Sequence, residues 1–217
     1  MHSCGRALIN SLKVIQDRNT HNNPDQKDHV AIITFDRLSN GTTLIQALTD
    51  DYQAAMQSCT RLQACADKGK STATEVGLKA AREYVQQERD GGQGSNNVNK
   101  VVVLLTDGLP NAYLSSINEI SNYRSGNANG NFNAGGYHWL DAPLMQAKII
   151  NRKGWQVYPV GIGLGTNYQF MDRMARMGGT AQGGQSLRGS GNPAVYEATL
   201  RELFREIVEV PLVNLVQ

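Results

Sequence analysis

Short, nearly continuous apolar runs in this chain alternate with longer stretches in which apolar residues recur at helical spacing. The clearest runs are Val30–Phe35, Val101–Leu105 and Gln156–Ile162. Runs of this length that are rich in β-branched residues are typical of strands covered on both faces. The run Val101–Leu105, with five apolar residues in a row, predicts the central strand of a parallel sheet.

The stretches between these runs predict helices. In the first of them, Leu8, Leu12 and Ile15 follow helical spacing, so an apolar stripe is expected to face the sheet. The predicted helices are Gly5–Arg18, Asp51–Ala66, Thr74–Arg89, Trp139–Arg152, Tyr168–Met177 and Pro193–Val210. The pattern of Thr42–Leu48 is ambiguous and fits either a short strand or a turn. Strands that alternate with helices indicate an α/β fold, so we expect one domain over residues 1–217 with a mainly parallel sheet.

The strand predicted at Val101–Leu105 runs into the sequence Thr106-Asp107-Gly108-Leu109-Pro110-Asn111. Gly and Pro break the apolar run there and leave a carboxylate at the carboxyl end of the strand. In open α/β sheets, ligands bind at that edge. Asp107 is therefore the first candidate for a functional residue.

Composition argues against several classes of function. The 217 residues carry 21 basic and 19 acidic side chains, a net charge of +2, which gives no electrostatic reason to bind nucleic acid or an anionic membrane. No apolar segment approaches the ~18–20 residues of a membrane span, so no membrane contact by this segment is expected. Cys4, Cys59 and Cys65 are too few for a disulfide scaffold and lack the spacing of a metal site.

Two glycine-containing motifs match nucleotide-binding sequences only in part. Gly69-Lys70-Ser71 matches the end of a phosphate-binding loop, and the strand that ends at Asp107 matches the acidic, magnesium-holding strand of such proteins. However, the first glycine of that loop would fall at Ala64, and the preceding segment predicts a helix where a strand is required. The glycines between residues 161 and 165 lack a small residue at the last position of the dinucleotide motif, which favours a tight turn. The four histidines lie in unrelated settings and give little support to a histidine-based metal site or catalytic triad.

Thr72 and Asp107 form the remaining candidate pair. Both are expected in loops at the carboxyl edge of the sheet, one with a hydroxyl oxygen and the other with a carboxylate. Hard oxygen ligands of this kind suit Mg²⁺, which keeps several waters and takes only a few protein groups. The alternative is structural, with Thr72 capping the following helix and Asp107 capping a turn. The spacing alone leaves both interpretations open.

Four segments together resemble the von Willebrand factor A domains. In the family's order they are Asp28–Phe35, Ser71–Ala81, Val101–Gly108 and Gly154–Gly163. The resemblance implies a Rossmann-like, mostly parallel sheet flanked by helices, with a metal-ion-dependent adhesion site that binds Mg²⁺. Thr72 resembles the threonine of that site's second loop, and Asp107 resembles the aspartate of its third loop. Ser71 is then an accessory oxygen donor.

The first loop of that site, an Asp-x-Ser-x-Ser sequence after the family's first strand, has no match in this chain. The resemblance therefore implies a sheet that lacks its first, central strand. It also implies that Met1 is an internal methionine, because a methionine precedes the first helix in many bacterial members. Without the serine loop, Mg²⁺ binding is expected to be weak or absent. Val210–Val216 is a candidate strand for the missing position.

The resemblance implies a binding module and not an enzyme. Its expected function is metal-dependent binding of a protein partner that presents an acidic group. The C-terminal residues 203–217 look most like those of the bacterial pilus-assembly (tight-adherence) group, which implies a location in the cell envelope. The Asn- and Gly-rich segment Ser121–Gly136 is expected at the surface, where it either shapes partner choice or is a solvated insertion. Two alternatives remain, a nucleotide hydrolase and a structural domain with an inactive metal site.

Overall fold

The computed structural model describes residues 3–23, 27–35, 43–61, 71–88, 98–106, 108–125, 137–162, 167–183, 201–202 and 204–207. Within these ranges the helices are α1 (Ser3–Asn19), α2 (Tyr52–Ser58), α3 (Thr74–Gln87), α4 (Ile117–Ser125), α5 (His138–Asn151) and α6 (Tyr168–Gly178). The strands are β1 (Val30–Thr34), β2 (Thr43–Thr49), β3 (Val101–Thr106) and β4 (Gln156–Gly161). A 3₁₀ turn, Cys59–Arg61, follows α2 directly, and residues 201–202 and 204–207 are also helical.

These strands form two separate two-stranded sheets. β1 and β2 are antiparallel, with Val30 opposite Thr49. β3 and β4 are parallel, with Val101 opposite Gln156. The α/β class predicted from the sequence is confirmed, and the ambiguous stretch Thr42–Leu48 contributes a strand.

Helix α1 packs across both sheets on one face. Leu12 belongs to a buried cluster with Ile32 of β1. Ala7, nearer the start of the helix, belongs to another cluster with Val160 of β4, and Val103 of β3 packs against it. The apolar stripe predicted for α1 therefore covers β1 at one point and the β3–β4 pair at another. Burial of each large apolar side chain of this kind stabilises the fold by about 1.5–3 kcal/mol.

Helix α3 covers the opposite face. Successive side chains of a strand point to opposite faces, and Leu104 of β3 lies in a different cluster from Val103, together with Leu78 of α3. Phe35, directly after β1, packs against that same cluster. A β-carbon on Gly77 of α3 would lie 2.8 Å from the Phe35 Cβ, so this approach requires glycine. Helices α1 and α3 thus enclose β1 and β3 from opposite sides.

In the described chain no strand lies between β1 and β3, although the same two helices cover both. β1 pairs only with β2, and β3 only with β4, among these residues. We call the interval between β1 and β3 the central slot. The expectation of a sheet without its central strand agrees with this arrangement, whereas Met1 and Val210–Val216 lie outside the described residues.

Strand β3 is less buried than its sequence predicts. Val101 is 38% exposed, and only Leu104 and Thr106 of the strand are buried. Both faces of β3 contact core clusters, as predicted for a strand covered on both faces. The exposed residue, Val101, is the first of the strand.

Helix α4 is a feature that the apolar pattern does not predict. Residues 121–125, expected in a surface segment, form its second half, and Ile120 directly before them is fully buried. The remainder of that segment, residues 126–136, lies outside the described ranges. None of the helices in the described part of the chain is long and apolar enough to cross a membrane.

Candidate metal centre

Two loops meet at the carboxyl end of β3. The first is residues 71–73, which lead into α3, and the second is residues 108–116, which follow β3. The backbone N–H of Thr72 donates to Asn111 Oδ1 at 2.7 Å. In return, the backbone N–H of Asn111 donates to the carbonyl oxygen of Thr72 at 3.2 Å. This reciprocal pair fixes the two loops side by side, as the sequence predicted for Thr72 and the end of β3.

The side chain of Thr72 faces the start of the second loop. A β-carbon on Gly108 would lie 3.9 Å from Thr72 Oγ1. Gly108 is itself held by Thr106, whose hydroxyl donates to the Gly108 carbonyl oxygen at 3.0 Å. Asp107 lies between these two residues in the sequence and is outside the described ranges. Its neighbour Gly108 lies beside the Thr72 hydroxyl.

The Thr72 hydroxyl does not cap α3. The N-cap residue of α3 is Ala73, and the hydrogen bonds of Thr72 within the described chain are made by its backbone N–H and carbonyl. The structural alternative for this residue, that its side chain caps the following helix, is therefore wrong. Within the described chain its hydroxyl oxygen makes no hydrogen bond. Ser71, the proposed accessory donor, lies in the same loop and is partly buried.

A buried carboxylate, absent from the sequence-based candidates, ties the same two loops together. Glu75, in the first turn of α3, is 1% exposed. It accepts hydrogen bonds from the backbone N–H of Leu114 at 2.7 Å and from the backbone N–H of Ser115 at 3.3 Å. The Ser115 hydroxyl also donates to it. The sequence signal for Glu75, an acidic residue in the first helical turn, is the same for an ordinary solvent-exposed position.

The available donors match a hard cation. Among the described residues, no group of three or more His, Cys, Asp or Glu side chains could hold a metal ion. Mg²⁺ and Mn²⁺ accept hydroxyl oxygens together with water. The Thr72 hydroxyl beside Gly108 makes no hydrogen bond within the described chain and fits this chemistry.

Exposed apolar side chains lie on the same second loop and at the start of α5. The ring of Tyr113 lies 6.1 Å from the ring of His138, so the loop and the first turn of α5 are neighbours. Tyr137 and Trp139 stack on each other at 4.8 Å and are 51% and 38% exposed. Leu114 is 58% exposed. These exposed side chains thus lie on the loop that follows β3 and at the start of α5.

The features of a phosphate-binding loop are not met in the described residues. Such a loop follows a strand and opens a helix. Here helix α2 and the turn Cys59–Arg61 precede the segment, and Ser71 lies outside any helix, since α3 begins at Thr74. Gly69 and Lys70 lie outside the described ranges. The geometry therefore gives no support to a nucleotide hydrolase.

The fold and the paired loops define the class of protein. The family model of the von Willebrand factor type A domain matches residues 6–185, so the chain belongs to that family. No curated protein sequence matches the chain significantly.

Several solved structures share the fold. Proximal thread matrix protein 1 from the mussel byssus is 18% identical with a TM-score of 0.62, and the match covers 94% of this chain and 42% of that protein. A second structure of the mussel protein is described as having a zinc-occupied metal-ion-dependent adhesion site (MIDAS) motif. It has 16% identity, a TM-score of 0.61 and coverages of 94% and 43%. The pilus adhesin SpaC from Lactobacillus rhamnosus GG, in its open conformation, has 18% identity, a TM-score of 0.61 and coverages of 94% and 27%. The chain thus spans less than half the length of these proteins.

Proposed function

We propose that this chain is a metal-ion-dependent protein-binding module. The observation that carries the proposal is the position of the Thr72 hydroxyl, which faces Gly108 and makes no hydrogen bond within the described chain. The mussel protein with the same fold has a zinc-occupied MIDAS motif, and this supports a metal at the corresponding edge of the sheet.

In this proposal Asp107 and Thr72 provide the oxygen ligands, and Ser71 is an accessory donor. Asp107 binds the cation directly or through water, and Thr72 contributes its hydroxyl oxygen. Mg²⁺ is the preferred ion because it accepts a few protein oxygens and keeps its remaining positions for water or an incoming ligand. The bound cation supplies a positive charge. An acidic group of the partner replaces a water molecule on the cation and binds to it.

The proposed partner is a protein with an exposed carboxylate. Leu114, on the loop that follows β3, and the stacked pair Tyr137 and Trp139 are exposed. In this proposal they contact apolar side chains next to that carboxylate, since aromatic residues are enriched at protein interfaces. A pilus adhesin and a byssus matrix protein share the fold, which supports a role in cell-envelope adhesion or pilus assembly. Recognition of this kind needs no chemical turnover, so we infer no enzymatic activity.

We further propose that a strand preceding α1 in the full-length protein fills the central slot and ends in an Asp-x-Ser-x-Ser loop. Ala7 of α1 lies in one cluster with Val160 of β4 and Ile162 directly after it, so α1 packs against the parallel pair. A parallel strand in the slot would end at the carboxyl edge of β3 and β4 and connect through α1 to β1, the usual right-handed crossover. The 217-residue chain alone would then bind Mg²⁺ weakly.

Isothermal titration with Mn²⁺ and Mg²⁺ tests the metal site. Weak binding by the wild-type chain is expected, with binding lost in Asp107→Ala and about tenfold weaker in Thr72→Val, a difference of about 1.4 kcal/mol. Asp17→Asn is the matched control because it removes one exposed carboxylate of α1. Equal binding by the wild type and Asp107→Ala would contradict the proposal. Absence of heat in a chain extended by its upstream sequence would favour a structural domain with an inactive site.

A further inference from the structure

The buried carboxylate of Glu75 accepts hydrogen bonds from one loop. Its oxygens accept from the backbone N–H groups of Leu114 and Ser115 and from the Ser115 hydroxyl. All three donors belong to residues 108–116, the loop that begins next to Asp107. A carboxylate buried to 1% exposure is tolerated because these donors and the N-terminal end of α3 compensate its charge.

Glu75 does not form the capping interaction that its position at the start of α3 suggests. Thr72-x-x-Glu75 fits the capping-box pattern, in which the glutamate returns to the N–H of the N-cap residue. In the structure the N-cap is Ala73, and the carboxylate reaches across to Leu114 at 2.7 Å. Its contacts therefore join two loops and do not close a helix end.

Two sets of hydrogen bonds link the loops, one after the other along the chain. Thr72 pairs with Asn111 through two hydrogen bonds, and one helical turn further on Glu75 holds Leu114 and Ser115. Gly108, at the start of the second loop, lies beside the Thr72 side chain. If the hydrogen bonds of Glu75 were lost, the Thr72–Asn111 pair would be the remaining one of these two links. The position of residue 107 would then be constrained, among these contacts, by that pair.

We propose that Glu75 is a positioning residue of the metal centre. Without contacting the ion, it holds the loop 108–116 against the start of α3 so that Asp107 and Thr72 face the same cation. This inference rests on the proposed function. Residues that orient metal ligands from behind typically change metal affinity by about 10–100-fold when substituted.

The test compares Glu75→Ala and Glu75→Gln with the wild type and with the control Glu83→Gln, which removes a partly exposed carboxylate from the same helix. Two quantities are measured on each full chain, the Mn²⁺ dissociation constant by titration and the amide hydrogen exchange of Leu114 and Ser115. Glu75→Ala should weaken Mn²⁺ binding at least about tenfold and accelerate both amides. Glu75→Gln keeps the shape and one acceptor oxygen, so its effects should be smaller. Glu83→Gln should change neither quantity.

An unchanged Mn²⁺ dissociation constant in Glu75→Ala, with a lower melting temperature, would overturn the inference and leave Glu75 a role in stability only. Equal loss of affinity in Glu75→Ala and Glu75→Gln, with normal exchange in Glu75→Gln, would also overturn it, because charge and not position would then matter. If neither the 217-residue chain nor a chain extended by its upstream sequence binds Mn²⁺, the proposed function fails. Amide exchange then decides alone, and unchanged exchange at Leu114 and Ser115 in Glu75→Ala overturns the positioning role.

Discussion

At the scale of single residues, the close packing at Gly77 and the oxygen chemistry at Thr72 define what α3 contributes. Gly77 lets the helix approach Phe35 to a distance that no other residue allows. Five residues earlier, the Thr72 hydroxyl faces Gly108 and makes no hydrogen bond with the residues that the structure describes. The end of β1 and the loop after β3 therefore both lie against the start of the same helix, so packing at one point supports geometry at the other.

Gly77→Ala should destabilise the fold. Alanine improves helix propensity by up to about 1 kcal/mol, but overpacking against Phe35 costs about 1–3 kcal/mol, so a net loss of up to about 2 kcal/mol is expected. Urea unfolding measures this difference. Lys79→Ala is the control, because Lys79 is exposed on the same helix and should change stability by less than about 0.5 kcal/mol. A Gly77→Ala variant as stable as the wild type would show that the approach is looser than described.

Two buried acidic groups near α2 make stability fall at alkaline pH. Burial raises the pKa of the Cys59 thiol from 9.0 to about 11. Burial, together with the negative charges of Asp28 and Asp50, raises the pKa of Tyr52 from 10.0 to about 12. The unfolded chain therefore loses these protons first. Their stabilisation is complete below about pH 9 and is lost as pH rises from 9 to 12.

Urea midpoints measured from pH 7 to pH 11 test this pH dependence. The wild-type midpoint should fall above pH 9, and Cys59→Ala should reduce the fall because it removes one of the two titrating groups. The buried Cys59 thiol, 1% exposed, should also react slowly with thiol reagents in the native state. Rapid native-state labelling of Cys59 would contradict the described packing.

At the scale of elements, the arrangement around the central slot governs the fold. α1 and α3 each contact both two-stranded sheets. These helices therefore join the two sheets, which share no strand-to-strand hydrogen bonds in the described chain. The open strand edges expose backbone groups that normally pair. Such edges favour local opening or pairing with a further strand.

Hydrogen exchange of β1 and β3 tests the central slot. In the 217-residue chain, amides of these strands that point into the slot should exchange much faster than those paired with β2 or β4. Extension of the chain by its upstream sequence should protect them, because the added strand would supply hydrogen-bond partners. Equal protection of the slot-facing amides in both chains would contradict the proposed extra strand.

Much of the element order could be predicted because strong local periodicity survives tertiary packing. α1 follows the spacing of Leu8 and Leu12, and β3 follows its continuous apolar run. The extent of β3 burial could not be predicted, since it depends on whether a neighbouring strand exists. Helix α4 was not predicted because its two aliphatic residues, Ile117 and Ile120, lie among Asn, Ser and Glu.

The metal site itself stays a prediction, although the structure shows where part of it would lie. Its residue types pointed to Thr72 and Asp107, and the structure places Thr72 beside Gly108. Asn111 and Glu75 were not identified, because their roles depend on partners 39 or 40 positions away in the sequence. The position of Asp107 itself, outside the described residues, stays a prediction.

At the scale of the whole molecule, the chain belongs to a family of α/β domains and carries a net charge of only +2. A nearly neutral surface gives little long-range attraction to a polyanion, so recognition depends on a local site. In the proposed function, the loops that carry Thr72 and Gly108 provide such a site. The single domain over residues 1–217 stays a prediction.

The most direct test of the account is paramagnetic broadening of backbone amide NMR signals by Mn²⁺. A cation held jointly by Thr72 and Asp107 should broaden the signals of Thr72 and Gly108 together, at lower Mn²⁺ concentrations than the rest of the chain, and Asp107→Ala should abolish this selectivity. Broadening that affects only one of the two loops, or that persists in Asp107→Ala, would contradict a shared metal centre.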